Sequence, residues 1–307
     1  MADLFYNKYC MDLKEKIIDN TTYSIGKDID GKEHTTEDLH QIILKIVLEI
    51  DRVCRKNNVP YALGFGSALG LVNYGGFIPW DDDADIVIDY FDIPRFIEAC
   101  EKDLSDEFVL EGYEINKKAN VLVPTLKMRY KNSYLKEENW FWLPNRCGTG
   151  SGFFVDICAF MGVPEDKKEH KKLLRKGKAA VVPYCFLDAL LRIHPYHLKK
   201  KLKDYERQIA EKYKDSPYVS QSVIIPWQEL DDVHANSFKR EVIYPFKEFD
   251  FAGHKLFSFN QPDVFASLRY GEKSLRIKKD GQWVDPYPKE KRFSKHIGAY
   301  SLNRSIK

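Results

Sequence analysis

The clearest pattern in the chain runs from residue 36 to residue 56. Leu39, Ile42, Ile43, Ile46, Val47, Ile50, Val53 and Cys54 recur at spacings of three and four, which predicts a helix with one apolar face. Thr35 or Thr36 is suited to cap its start, and Asn57, Asn58 and Pro60 to stop it. His40 falls off the stripe and is expected to be a solvated helix residue. The pattern then shortens. Tyr61 to Phe65 reads as a brief strand, Gly66-Ser67 opens a second helix, Ile86 to Ile88 form another strand, and Ile93 to Cys100 a helix returning to the sheet.

Further strands are expected over Val121 to Tyr130 and Phe153 to Phe160. From Pro164 to Ser216 the composition turns Lys-rich and helical, with Leu173, Leu174, Leu187, Leu190 and Leu191 as the apolar positions. Short strands follow around Val223 to Ile225, Arg240 to Phe246 and Phe249 to Phe259, and Pro262 begins a helix ending at Arg269-Tyr270-Gly271. The class is α/β (α+β): a mixed sheet flanked by helices, with a helical insertion and a small C-terminal α+β portion. The expected divisions are an N-terminal extension (1–34, with a polar loop from Gly26 to His34), a core (35–163), a helical insertion (164–220) and a part packing on the core (221–307).

The chemistry is concentrated where the second helix meets the second strand. Asp81, Asp82, Asp83 and Asp85 stand between Trp80 and the apolar run Ile86-Val87-Ile88. Strand alternation would turn Asp83 and Asp85 the same way, and paired carboxylates repel unless a cation lies between them. Oxygen-only ligands suit Mg²⁺ or Mn²⁺. The Gly66-Ser67 turn, with glycines at 64 and 70 allowing close approach, offers helix N-terminal N–H groups to a phosphate. Asp156 is one acid within eight otherwise apolar residues, 153–160, and is expected to be a metal ligand, a general base or half of a structural salt bridge. Lys127 and Arg129 share a strand face that either meets a transferring phosphate or is simply solvated. Arg292, Lys295 and His296 in the basic tail are further candidates for phosphate contact, and His194 and His197, flanking Pro195, carry little weight as metal ligands.

Composition narrows the class without naming a reaction. The 307 residues are 44% hydrophobic and 31% charged with a net charge of +2, so there is no global argument for nucleic-acid binding. The six cysteines are scattered, which argues against a zinc or disulfide framework and for a reducing cytoplasm. Neither a signal-peptide core nor a membrane-length apolar run is present in the sequence. The insertion's lysines form a solvated face or one that favours an anionic glycan or membrane surface.

Gly66-Ser67 followed by Gly76-Phe-Ile-Pro-Trp-Asp-Asp-Asp-Ala-Asp85-Ile closely resembles the hallmark of the LicD family, phosphotransferases on a nucleotidyltransferase fold related to fukutin and the fukutin-related protein. Asp51-Arg-Val-Cys54, Phe154-Val-Asp156-Ile157 and Tyr270-Gly271 fit the family's layout, so the likeness spans most of residues 36–296. Ser67 stands where threonine is frequent, keeping the hydroxyl, and Ala84 where a larger aliphatic is common. The resemblance implies transfer of a phospho-alcohol from a CDP-activated donor to a glycan or glycolipid hydroxyl, with phosphocholine from CDP-choline the best-known case and teichoic acid or lipopolysaccharide sugars as acceptors. It implies Mg²⁺ (or Mn²⁺) on Asp83 and Asp85, completed by Asp156 unless Asp156 is the base, with Gly66 and Ser67 on a phosphate. Asp81 and Asp82 would meet a second ion or the alcohol, and Tyr74, Trp80, Trp140, Trp142 and Trp283 are candidates for a choline box. The acceptor would be met from the cytoplasmic side, with peripheral contact if it is membrane-linked.

Three other classes compete. A nucleotidyltransferase proper would release pyrophosphate instead of CMP. A metal-dependent glycosyltransferase also uses Asp-x-Asp, but usually places a larger nucleotide-binding unit before it. A glycan-binding module gives no reason for three acids in apolar strands.

Overall fold

The computed structural model describes residues 22–112, 114–115, 126–137, 152–187, 196–225, 236–279, 282–285 and 297–304. Trp140, Trp142, His194, Arg292, Lys295 and His296 lie outside them, as do the side chains of His197 and Trp283.

Strands β1 (Ser24–Lys27) and β2 (Glu33–Thr35) lead into helix α1 (Thr36–Lys56). Next come β3 (Ala62–Leu63), α2 (Phe65–Tyr74), β4 (Asp85–Asp89) and α3 (Ile93–Asp103). Strands β5 (Phe108–Glu111), β6 (Leu126–Tyr130), β7 (Tyr134–Glu137) and β8 (Phe154–Val163) follow, then helices α4 (Lys167–Phe186) and α5 (Tyr196–Lys212). The last part holds β9 (Tyr218–Gln221), β10 (Phe238–Lys239), α6 (Arg240–Ile243), β11 (Lys247–Phe251), β12 (His254–Ser258) and α7 (Pro262–Tyr270). It ends with β13 (Ile277–Lys279), β14 (Gln282–Val284) and β15 (Ile297–Ser301).

Nine strands form one mixed sheet in the order β10-β9-β8-β4-β3-β12-β11, with β5 and β6 joined to it through β8. The long β8 is its axis. Its first half pairs antiparallel with β6, its second half antiparallel with β9, and its other edge parallel with β4. Residues 247–258 close the far side, where β12 runs parallel to β3.

Alternation divides the apolar residues between two faces. Ile86, Ile88, Val155, Ile157, Leu126 and Met128 pack against α1 and α3 through Leu39, Ile43, Ile46, Ile50 and Phe96. Val87, Cys158 and Phe160 face the other way, with Ala68 of α2, Ile243 of α6 and Phe265 of α7. Each fully buried aliphatic chain contributes roughly 1.5–3 kcal/mol, so this double-faced core is the main stabilising element. Helix α1 starts as its pattern implies: Thr35 and Asp38 form a reciprocal capping box, and Asn57 caps the other end. Helices α4 and α5 pack on the end of β8 through Leu174, Val181, Leu202, Ile209, Met161 and Val163.

Three local expectations are corrected. Residues 26–34 form the β1–β2 hairpin instead of a polar loop, because the Asp28 carboxylate accepts the N–H groups of Asp30 and Lys32 and closes the turn. Val223 to Ile225 are a turn: Ile225 N–H donates to Ser222 O, and the Val223 and Ile224 side chains are spent on burial against the α4–α5 layer. Arg240 to Ile243 are a helical turn, with Val242 and Ile243 buried.

Candidate active site

The site follows from strand register. In the parallel ladder Asp85 of β4 is opposite Asp156 of β8, and in the neighbouring antiparallel ladder Asp156 is opposite Lys127 of β6. Ile86, Ile157 and Met128 belong to the α1 face, so alternation sends Asp85, Asp156 and Lys127 to the opposite face as a row across three strands. The Lys127 ammonium lies 3.2 Å from Asp156 Oδ1 and 3.3 Å from the centroid of the Phe154 ring. Apart from that ammonium, the buried Asp156 Oδ1 accepts no hydrogen bond.

The Gly66-Ser67 turn lies against this row. The Asp85 N–H donates to Ser67 Oγ at 3.0 Å, the Gly64 N–H donates to the Asp85 carbonyl at 3.0 Å, and the Gly66 N–H bonds to the Asp85 carboxylate. The groups expected to face a phosphate are therefore also the ones that anchor the acid strand. A Cβ placed on Gly66 would sit 3.1 Å from Asp81 Oδ2 and 4.0 Å from Asp85 Oδ2, so the helix start reaches the carboxylates because it carries no side chain there. The positive end of α2 is directed at them. Phe65, first in the helix, has φ of +40°, a conformation costing a non-glycine residue about 1–3 kcal/mol. Edge-on packing of its ring against Phe160 and Phe265 holds it.

Asp83 precedes β4 and is not a strand residue, so the alternation that would align it with Asp85 does not operate. The turn assembles the acids by another route. One carboxylate oxygen from each of Asp81, Asp82 and Asp83 lies within 4.8 Å of the others. Asp82 is buried, and Asp81 N–H donates to the Ile78 carbonyl at 2.9 Å. The Asp85 carboxyl is pushed well above the usual carboxylate range, first by loss of water and then by the charges of Asp83, Asp156 and Asp81. An all-oxygen, crowded, electrostatically unfavourable set of this kind fits a hard divalent ion such as Mg²⁺ or Mn²⁺. The donors present match it.

Other candidates are placed differently. Arg129 shares the face of Lys127 but is almost wholly buried: its Nε donates to Glu111 at 2.7 Å and its guanidinium to the Gly152 carbonyl at 3.0 Å. Trp80 and Tyr74 are buried too. Trp80 makes edge contacts with Tyr23 and Tyr74, Arg276 lies over the Tyr74 ring, and the Tyr74 hydroxyl donates to Asp285 at 2.7 Å.

His40 was missed by the sequence reading. It is not solvated: it is 7% exposed, stacked on Phe77 with ring centroids 4.6 Å apart, and its Nε2 is 2.8 Å from the Asp81 carbonyl. Its place beside, and not within, the apolar stripe was the available signal, since an off-stripe residue can still meet a loop folded over the helix end.

Residues 58–194 match the family described as LicD/FKTN/FKRP, nucleotidyltransferase domain. That span includes Gly66, Ser67, Asp81, Asp82, Asp83, Asp85, Lys127, Arg129 and Asp156. A lipopolysaccharide cholinephosphotransferase LicD from Haemophilus influenzae is 24% identical over 147 residues, 48% of this chain and 52% of its own length. The chain thus spans about half the length of this curated relative. The likeness to the LicD family is thus carried by the nucleotidyltransferase domain matched over residues 58–194.

Proposed function

We propose that this chain transfers a phospho-alcohol, most simply phosphocholine from CDP-choline, to a hydroxyl of a cell-surface glycan or its precursor and releases CMP. The observation that carries the reading is the in-register row Lys127–Asp156–Asp85, set beside the clustered carboxylates of Asp81, Asp82 and Asp83. The Haemophilus relative, named a lipopolysaccharide cholinephosphotransferase, supports the donor and acceptor classes.

In this reading Asp83 and Asp85 would hold the metal, with Asp81 and Asp82 beside them for a second ion or the alcohol. Bound Mg²⁺ supplies charge neutralisation on the donor diphosphate. The acceptor oxygen forms a bond to the phosphorus bearing the alcohol as the bond from that phosphorus to the CMP oxygen breaks. Asp156 either completes the metal site or takes the acceptor's proton. Lys127 lies where it can offset negative charge on the transferring group, and the start of α2 at Gly66 and Ser67 orients a phosphate oxygen. The nucleotide donor sets the reaction on the cytoplasmic side, with peripheral contact to a membrane-linked acceptor. Among the described residues, no helix is long and apolar enough to cross a membrane.

The test is product analysis with a panel of CDP-alcohols, Mg²⁺ and a crude glycan acceptor. CMP formed only when acceptor is present, with phosphorus appearing on the glycan, supports the reading. Pyrophosphate formed from a nucleoside triphosphate, with no CMP from any CDP-alcohol, would replace it with nucleotidyl transfer.

A further inference from the structure

The acid turn from Ile78 to Asp83 carries three carboxylates but belongs to no helix or strand. Three things fix Asp81: its N–H donates to the Ile78 carbonyl, its carboxylate lies over Gly66, and its carbonyl meets His40. The third comes from α1, forty-one residues earlier. A carbonyl only accepts, so His40 Nε2 carries the proton. Stacking on Phe77 fixes the plane of the ring that carries this donor.

The Asp81 carbonyl belongs to the same peptide plane as the Asp82 N–H. Orienting that carbonyl sets the direction in which Asp82 and Asp83 leave the turn. We propose that His40 is a positioning residue which, through its bond to the Asp81 carbonyl and its stack on Phe77, presets the 81–83 carboxylates for a divalent cation. This rests on the metal reading of the acid cluster. His40 touches neither substrate nor metal; it acts through the Asp81–Asp82 peptide, as outer-shell donors act on ligands elsewhere.

The experiment measures Mn²⁺ binding to the full chain by electron paramagnetic resonance and calorimetry, with thermal melting of the metal-free proteins alongside. The variants are His40→Phe, which keeps a stacking ring without the donor, His40→Gln, which keeps an N–H at the position of Nε2, and Asp83→Asn. The expected result is Mn²⁺ affinity roughly ten-fold weaker in His40→Phe, with Gln recovering most of it at a similar melting temperature. If His40→Phe does not fold, near-native affinity in His40→Gln against a ten-fold loss in His40→Met carries the same conclusion. Wild-type affinity in a folded His40→Phe, with binding lost in Asp83→Asn, overturns the role of His40 while leaving the metal site standing. No Mn²⁺ binding by the wild type overturns the metal reading and the proposal with it.

Discussion

Asp85 and Asp156 stand opposite each other in a parallel ladder, two acids side by side in the middle of a nine-stranded sheet. Like charges directly opposite are destabilising by a few tenths to about 1 kcal/mol. Asp85→Asn keeps an oxygen for the Gly66 N–H and removes one charge from the pair. The expected outcome is a metal-free protein as stable as the wild type or up to about 1 kcal/mol more stable, with transfer activity reduced at least a hundred-fold. Urea melts beside turnover assays check it; a large loss of stability would mean that Asp85 is a structural acid.

Gly66 makes a similar contrast. Alanine is favoured over glycine inside a helix by about 1 kcal/mol, yet a Cβ here would meet Asp81 Oδ2 at 3.1 Å. Gly66→Ala is expected to melt at or slightly above the wild-type temperature while losing at least ten-fold in kcat, because the acid turn must move by tenths of an ångström.

Lys127 and Arg129 share a strand face and part in role. Removing Arg129 would take a buried guanidinium from its pair with Glu111, and breaking a buried pair costs about 3–5 kcal/mol. Arg129→Ala is expected to lose stability on that scale, whereas Lys127→Ala loses mainly activity. Denaturation curves for both variants, measured beside activity, separate the two.

A pH effect arises away from the site. His170 on α4 is buried, with no hydrogen-bond partner for its Nε2, and its pKa is lowered to about 4 by burial. The unfolded chain takes up this proton near pH 6.5 and the folded one near 4. Stability is therefore lost as pH falls from about 6.5 to about 4, by up to about 3 kcal/mol from this group. His170→Phe should flatten that part of the stability–pH curve relative to wild type; identical slopes would contradict the assignment.

Much of this was legible because it depended on periodicity. The apolar stripe of α1, a capping threonine at 35 or 36 and the lone acid of β8 all declared themselves. What was not legible depends on long-range register and on turns. Lys127 pairs with Asp156, its opposite in β8, whereas Arg129 pairs diagonally with Glu111, the residue that stands opposite Lys127 in β5. Alternation likewise says nothing about a turn, so Asp83 joins Asp81 and Asp82 instead of lining up with Asp85 in a strand. The apolar Val223 and Ile224 misled because burial against helices selects the same side chains as burial in a sheet.

The most direct measurement of the central claim is release of CMP from CDP-choline by the full chain with Mg²⁺ and a glycan acceptor, comparing wild type with Asp83→Ala. The account predicts release that requires both acceptor and metal and falls at least a hundred-fold in the variant. Full release by Asp83→Ala, or no CMP from any CDP-alcohol, would contradict it.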